Sequence, residues 1–227
     1  MGCVTVTLKV IYHMKHLFII LIFVYSALFS TSDAQQTVDI SRMNRWVDSV
    51  YNALSMEQRV GQLIFVRANY PYQPYLKTAG KYIRKYNLGG VCFFGGDAVA
   101  QAKQFNAWNK KANVPLMSTI DAEWGLGMRL KGTLKYPLQM TLAAIPDDSL
   151  IYLMGRQIGA QCKRVGVHLN FAPVVDVNSN PRNPIIGMRS FGSNAQNVGR
   201  LGVLYMKGLQ DEDIIACAKH FPGHGDT

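Results

Sequence analysis

The chain lacks several features that would mark whole classes of protein. Only four cysteines occur, Cys3, Cys92, Cys162 and Cys217. The last three are an odd number in apolar surroundings, so they read as buried free thiols, with neither a disulfide framework nor a zinc site expected. Lys and Arg outnumber Asp and Glu by 24 to 14, for a formal charge of +10. No Lys/Arg run occurs, which argues against nucleic acid as a partner. No internal repeat, low-complexity segment or linker breaks the chain. No apolar run reaches the ~20 residues that a membrane-spanning helix needs.

What is present begins with a leader. His13, Lys15 and His16 precede an apolar run from Leu17 to Phe29, interrupted only by Ser26. Ser32-Asp33-Ala34 then offers small residues for cleavage before Gln35. This is the pattern of a signal peptide over residues 1–34, so the protein is expected to be exported, to a periplasmic or extracellular location. The membrane is expected to be met only through that export signal. Spread basic charge on an exported protein suits anionic cell-wall polymers. Residues 35–227 are enough for one domain with a core of its own.

Five apolar, β-rich segments at 62–66, 90–94, 115–120, 167–177 and 214–220 alternate with amphipathic ones. Helices are expected at 74–86, 98–111, 147–165 and 194–210, with a further one at 40–54 before the first strand. In the third of these, Leu150, Leu153, Met154, Ile158 and Cys162 recur at helical spacing, with Asp147 and Asp148 in the first turn and Lys163 and Arg164 in the last. Near-continuous apolar strands between helices predict parallel pairing buried on both faces. An open doubly wound sheet and a (β/α)8 barrel both satisfy that pattern. The absence of Gly-x-Gly-x-x-Gly after the first strand argues against a dinucleotide fold. Polar residues gather where the strands end, which favours the barrel. A whole barrel takes ~250 residues, so five of its eight strands are expected here.

Three segments carry the chemistry. In Asp121-Ala-Glu-Trp-Gly-Leu-Gly-Met-Arg129, Asp121 follows a strand and can accept hydrogen bonds from two vicinal hydroxyls, with Trp124 as an apolar wall. It can equally pair with Arg129 for structure alone. The loop Asn178-Ser-Asn-Pro-Arg-Asn-Pro-Ile-Ile-Gly-Met-Arg-Ser-Phe-Gly192 carries Ile185, Ile186, Met188 and Phe191, so it is expected to pack down as an ordered wall. Arg189 is then a rigid planar donor, for sugar hydroxyls or a carboxylate, or a brace for the loop. Asp176 reads as structural, bonding loop backbone, and His168 as a core histidine. Lys219 and His220 are adjacent, and a regular pleat would send them to opposite faces. Both reach one ligand only if the backbone bulges or carries an unusual peptide there, and Phe221-Pro222 is a candidate cis bond.

Together, Lys219-His-Phe-Pro-Gly-His-Gly-Asp-Thr227, the Asp-x-Glu-x-Gly-x-x-x-Arg motif and the Arg-Ser-Phe-Gly loop resemble glycoside hydrolase family 3, in its bacterial β-N-acetylhexosaminidase branch. The resemblance runs from about Ile40 to Thr227. It implies the N-terminal portion of a (β/α)8 TIM-type barrel and retaining hydrolysis of a terminal β-linked N-acetylglucosamine, from cell-wall or chitin-type fragments. It also implies that Asp121, Arg129, Arg189, Lys219 and His220 bind the terminal sugar. The partner is then a carbohydrate, a β-N-acetylglucosaminide, and the chemistry needs no metal or organic cofactor. In that branch an Asp-x-His pair supplies the acid/base and a later aspartate is the nucleophile. Both are expected beyond Thr227, so residues 1–227 alone are expected to be inactive, and His224 reads as a loop brace. A β-glucosidase or β-xylosidase of the same family, or a non-catalytic sugar-binding remnant, stands as the alternative.

Overall fold

A computed structural model gives the fold of residues 39–69 and 72–226. The expected leader and its cleavage site lie outside those residues. Among the described residues no helix is long and apolar enough to cross a membrane. The chain divides into two compact units, residues 1–49 and 50–227. The described part of the first belongs to α1 (Ile40–Ala53), an amphipathic helix none of whose residues is buried.

The second unit alternates helices and strands. In chain order its elements are α2 (Met56–Gln62), β1 (Phe65–Ala68), α3 (Gln73–Tyr86), β2 (Gly90–Phe93), β3 (Gly96–Asp97), α4 (Ala98–Asn109), β4 (Met117–Ile120), β5 (Leu130–Lys131), α5 (Gln139–Leu142), α6 (Ser149–Arg164), β6 (Leu169–Asn170), α7 (Ala195–Gln210) and β7 (Ile215–Ala216). Strands β1, β2, β4, β6 and β7 form one parallel sheet whose spatial order is the chain order. A doubly wound sheet reverses its order at a switch point. This one never does, so the architecture is that of consecutive βα units of a TIM-type barrel.

The register sets up the site. Ala68, Phe93, Ile120, Asn170 and Ala216 lie side by side across the sheet. Asp121 is therefore the first residue beyond the C-terminal edge of the sheet. Phe93 turns to the helix layer and stacks on Trp108, 6.5 Å between ring centres. By strand alternation Cys92 faces the other way and is only half-buried. Cys217 is half-buried too, so of the three thiols expected to be buried only Cys162, on the packed face of α6, is. Burial pushes its pKa up to about 12. A second cluster joins α6 and α7 through Ile151, Ile158, Leu201 and Tyr205. There a Cβ on Gly208 would collide with the Tyr152 carbonyl, so only glycine permits this helix spacing.

Several boundaries differ from expectation. Ser55 and Gln58 form a reciprocal capping box that starts α2 and carries helix through Gln62. The first strand is thereby displaced to Phe65–Ala68. The fourth expected strand shortens to Leu169–Asn170, because the Ala172 N–H turns back to the Asn170 carbonyl at 2.8 Å and leaves the ladder. His168 is a surface residue at the start of that strand, not a core histidine. Its Nδ1 accepts the Ser118 backbone N–H at 3.0 Å, which fixes the Nε2–H tautomer, and partial desolvation of the ring, which lies edge-on to Phe105, lowers its pKa. The expected ordered wall is half realised: Ile186 and Phe191 are buried, while Ile185 and Met188 are exposed.

Candidate active site

The polar residues singled out from the sequence converge at the C-terminal end of the sheet. Asp121 leaves β4 directly. A 3-10 turn at Leu126–Met128 brings Arg129 back onto it: the guanidinium bonds both the Asp121 carbonyl, at 2.9 Å from Nε, and its carboxylate Oδ2. Lys219 arrives from beyond β7. An isolated parallel bridge between Val174 and Lys219 continues the pairing past the strand ends and sets its position. Its ammonium donates to Asp121 Oδ1 and Glu123 Oε1, 2.7 Å each. A second 3-10 turn, Gly187–Arg189, delivers Arg189. That side chain grips the same Glu123 with two parallel bonds, Nε to Oε2 at 2.9 Å and Nη2 to Oε1 at 2.7 Å.

The result is a chain of alternating charge, Arg129–Asp121–Lys219–Glu123–Arg189. Each anion lies between two cations. Burial raises the pKa of Asp121, but the bonds and charges of Lys219 and Arg129 outweigh it and hold the carboxyl below its ordinary value. The bond to Glu123 raises the pKa of Arg189. The chain leaves specific valences open. Lys219 has spent two of three donors, and Arg189 has spent three of its five N–H groups, the third on the Ile185 carbonyl at 3.0 Å. Arg189 therefore braces the loop, as one of its two readings had it, and keeps two N–H groups unspent. Such an array of fixed donors and acceptors suits the hydroxyls of a sugar ring.

His220 extends the site. The Lys219–His220, Phe221–Pro222 and Ala172–Pro173 peptides are cis. The His220 ring lies on Asp176, Nδ1 to Oδ2 at 2.6 Å. An ionised carboxylate only accepts, so Nδ1 carries the proton and Nε2 is the nitrogen left for a ligand. The other oxygen of Asp176 accepts the backbone N–H groups of His220, at 3.2 Å, and His224, at 2.9 Å. The structural part read for Asp176 is thus directed at the 220–224 backbone. His224 packs edge-on against His220, 5.8 Å between ring centres. A cavity of about 530 Å³ opens here, lined among others by Asp176, Ser179, His220, Phe221 and Asp226.

Two residues that the sequence did not single out hold this arrangement together. Glu123 is the hub of the charge chain and is 1% exposed. Its signal was the Asp-x-Glu spacing beside more cations than one carboxylate can pair. Asn183 ties two loops: its Oδ1 accepts the N–H groups of Ile185 and Ile186, and its Nδ2 donates to the His224 carbonyl at 2.6 Å. Gly225 lets these loops touch, since a Cβ there would strike the Val177 carbonyl. No group of three His, Cys, Asp or Glu residues suited to a metal occurs among the described residues.

Known proteins resemble this chain in sequence and fold. The model of the glycosyl hydrolase family 3 N-terminal domain matches residues 55–227. Beta-hexosaminidase A of Pseudoalteromonas piscicida is 35% identical over 158 residues, 64% of this chain and 26% of that protein. A beta-N-acetylglucosaminidase/beta-glucosidase of Cellulomonas fimi is 31% identical over 180 residues, 79% of this chain and 31% of that protein. Among solved structures, a family 3 beta-N-acetylglucosaminidase from Paenibacillus sp. str. FPU-7 superposes with a TM-score of 0.69 at 38% identity, covering 77% of this chain and 34% of that one. The chain therefore spans about a quarter to a third of the length of these relatives. With its family match running from the capping box of α2 through the Lys219–His220 segment, the chain belongs to glycosyl hydrolase family 3.

Proposed function

We propose that the protein is an exported β-N-acetylhexosaminidase that removes terminal β-linked N-acetylglucosamine from cell-wall or chitin-type fragments with retention of configuration. Residues 1–227 supply the sugar grip. The observation that carries this reading is the charge chain Arg129–Asp121–Lys219–Glu123–Arg189, with His220 beside it, at the C-terminal end of the barrel strands. Asp121 accepts from ring hydroxyls, while Lys219, Arg129, Arg189 and His220 bond the remaining ring oxygens. In a retaining mechanism a carboxylate attacks the anomeric carbon as a second group protonates the leaving oxygen, and that group then activates water against the glycosyl-enzyme. The acid/base histidine and the nucleophilic aspartate are assigned outside residues 1–227, and His224 and Asp226 take neither part.

The test is turnover of aryl β-N-acetylglucosaminide and aryl β-glucoside by the full-length protein. The reading expects kcat/KM to favour the N-acetyl substrate at least tenfold, Asp121→Ala to abolish turnover, and residues 1–227 alone to release no aglycone. Equal or better use of the glucoside would favour a second reading, a β-glucosidase. The Cellulomonas fimi relative, described by both activities, supports keeping that reading. Saccharide binding without hydrolysis by the full-length protein would identify a non-catalytic remnant.

A further inference from the structure

Glu123 is a carboxylate that a ligand barely reaches, yet two of the cations assigned to the sugar depend on it. It is 1% exposed, against 24% for Arg189 and 12% for Lys219. Its own position is fixed from elsewhere in the fold. The hydroxyl of the fully buried Tyr205, on α7, donates to the Glu123 carbonyl at 3.0 Å. One residue earlier, the Asn170 side chain at the end of β6 both accepts from the Ala122 N–H, at 3.0 Å, and donates to the Ala122 carbonyl, at 3.2 Å. The backbone that carries Glu123 is therefore held by β6 and α7, while the cations its carboxylate holds come from the 178–192 loop and from beyond β7. A bidentate guanidinium pair fixes a plane as well as a distance. The shared Oε1 then sets the gap between the Lys219 ammonium and that plane.

We propose that Glu123 is a positioning residue for saccharide recognition: it touches no sugar, and it fixes Arg189 and Lys219 relative to one another so that their remaining N–H groups meet one ring. This rests on the reading of the cluster as a sugar site. Without the Glu123 charge both cations keep their tethers but lose their mutual register, and a planar donor a fraction of an ångström out of place loses its bond.

The experiment compares wild type, Glu123→Gln, Arg189→Ala and the double variant, in the full-length protein, by calorimetric titration with N-acetylglucosamine. Glu123→Gln is expected to weaken binding about tenfold or more, the scale of a lost bond to a charged group. The double variant is expected to bind more weakly than Arg189→Ala by less than the loss that Glu123→Gln causes alone, because the Arg189 arm of Glu123 is then already gone and only the Lys219 arm remains. A second readout needs no ligand: the ¹⁵N resonance of the Arg189 Nε–H should exchange slowly with water in wild type and rapidly in Glu123→Gln. Glu123→Asp keeps the charge but withdraws it by one methylene. It should bind with intermediate affinity, and it carries the same measurements if the glutamine variant fails to fold. Wild-type affinity in Glu123→Gln, losses that multiply in the double variant, or an unaltered Nε–H would overturn the proposal. If wild type binds no saccharide while the Nε–H still responds, the sugar reading falls and Glu123 remains only the holder of the two cations.

Discussion

The two ends of the strands carry the same kinds of ion pair in opposite circumstances. At the N-terminal end, Lys163 pairs with Asp213 at 2.7 Å, with side chains 58% and 81% exposed. Arg156 pairs there with Glu212, and the Tyr152 hydroxyl donates a hydrogen bond to Asp211. At the C-terminal end, Lys219 pairs with Glu123 at the same 2.7 Å while both are nearly out of water. Exposed pairs contribute little, because screening and side-chain entropy cancel most of the attraction. Buried pairs cost desolvation that their attraction roughly offsets, so well-packed apolar residues would serve stability as well or better. Equal geometry with unequal burial therefore separates surface decoration from a site. The buried charges at the C-terminal end fit the sugar-binding role proposed for them.

Breaking the buried chain at its centre should have the largest effect. Lys219→Met leaves two carboxylates facing each other without their shared cation. It should cost about 3–5 kcal/mol, seen as a lower denaturant midpoint at unchanged slope, and should abolish detectable saccharide binding. A loss under about 1 kcal/mol would make the centre of the chain no different from a surface pair. Next in size is Asp176→Asn. The amide oxygen can still accept the two backbone N–H groups, but the ring of His220 loses an ionised acceptor, so about 1–3 kcal/mol of stability should go. Saccharide affinity should fall with it, and restoration of affinity by rotation of His220 to another partner would contradict that role.

The pH response gives a smaller effect with a definite sign. The folded-state pKa of Asp121 is depressed by Lys219 and Arg129 despite burial. The stability it contributes is therefore present above the unfolded value and is lost as pH falls through the folded one. Unfolding curves should show that loss only below about pH 4, and Asp121→Asn should remove this part of the acid limb. Smallest of all, Lys163→Met should leave the melting temperature unchanged within error. A clear drop there would erase the contrast between the two ends.

Much of this contrast was legible in the sequence. Lys219, His220, Asp121 and Arg189 stand in motifs at strand ends, and strand ends follow from apolar runs flanked by glycine and polar residues. Element boundaries were less legible. The Ser55-x-x-Gln58 capping box starts a helix that runs through Gln62, the first residue that read as strand, a choice made by two side-chain bonds and not by hydrophobic pattern. The 167–177 segment is mostly apolar, but the pairing stops after Asn170, whose side chain turns to the Ala122 backbone. Glu123 stood in the Asp-x-Glu motif but received no role, because Asp121, two residues earlier, already supplied the carboxylate that the chemistry asks for. Only the three-dimensional meeting of Lys219 and Arg189 shows that two are needed. The exposure of Ile185 and Met188 beside the buried Ile186 is decided by the 3-10 turn at Gly187–Arg189, which sequence spacing does not announce.

The most direct test of the central claim is a crystal structure of the full-length protein with N-acetylglucosamine bound. The account predicts ring oxygens within about 3.2 Å of Asp121, Lys219, Arg189 and His220, with Glu123 still on its two cations and making no sugar contact. A sugar bound elsewhere, or one that displaces Arg189 from Glu123 to reach the carboxylate itself, would contradict it.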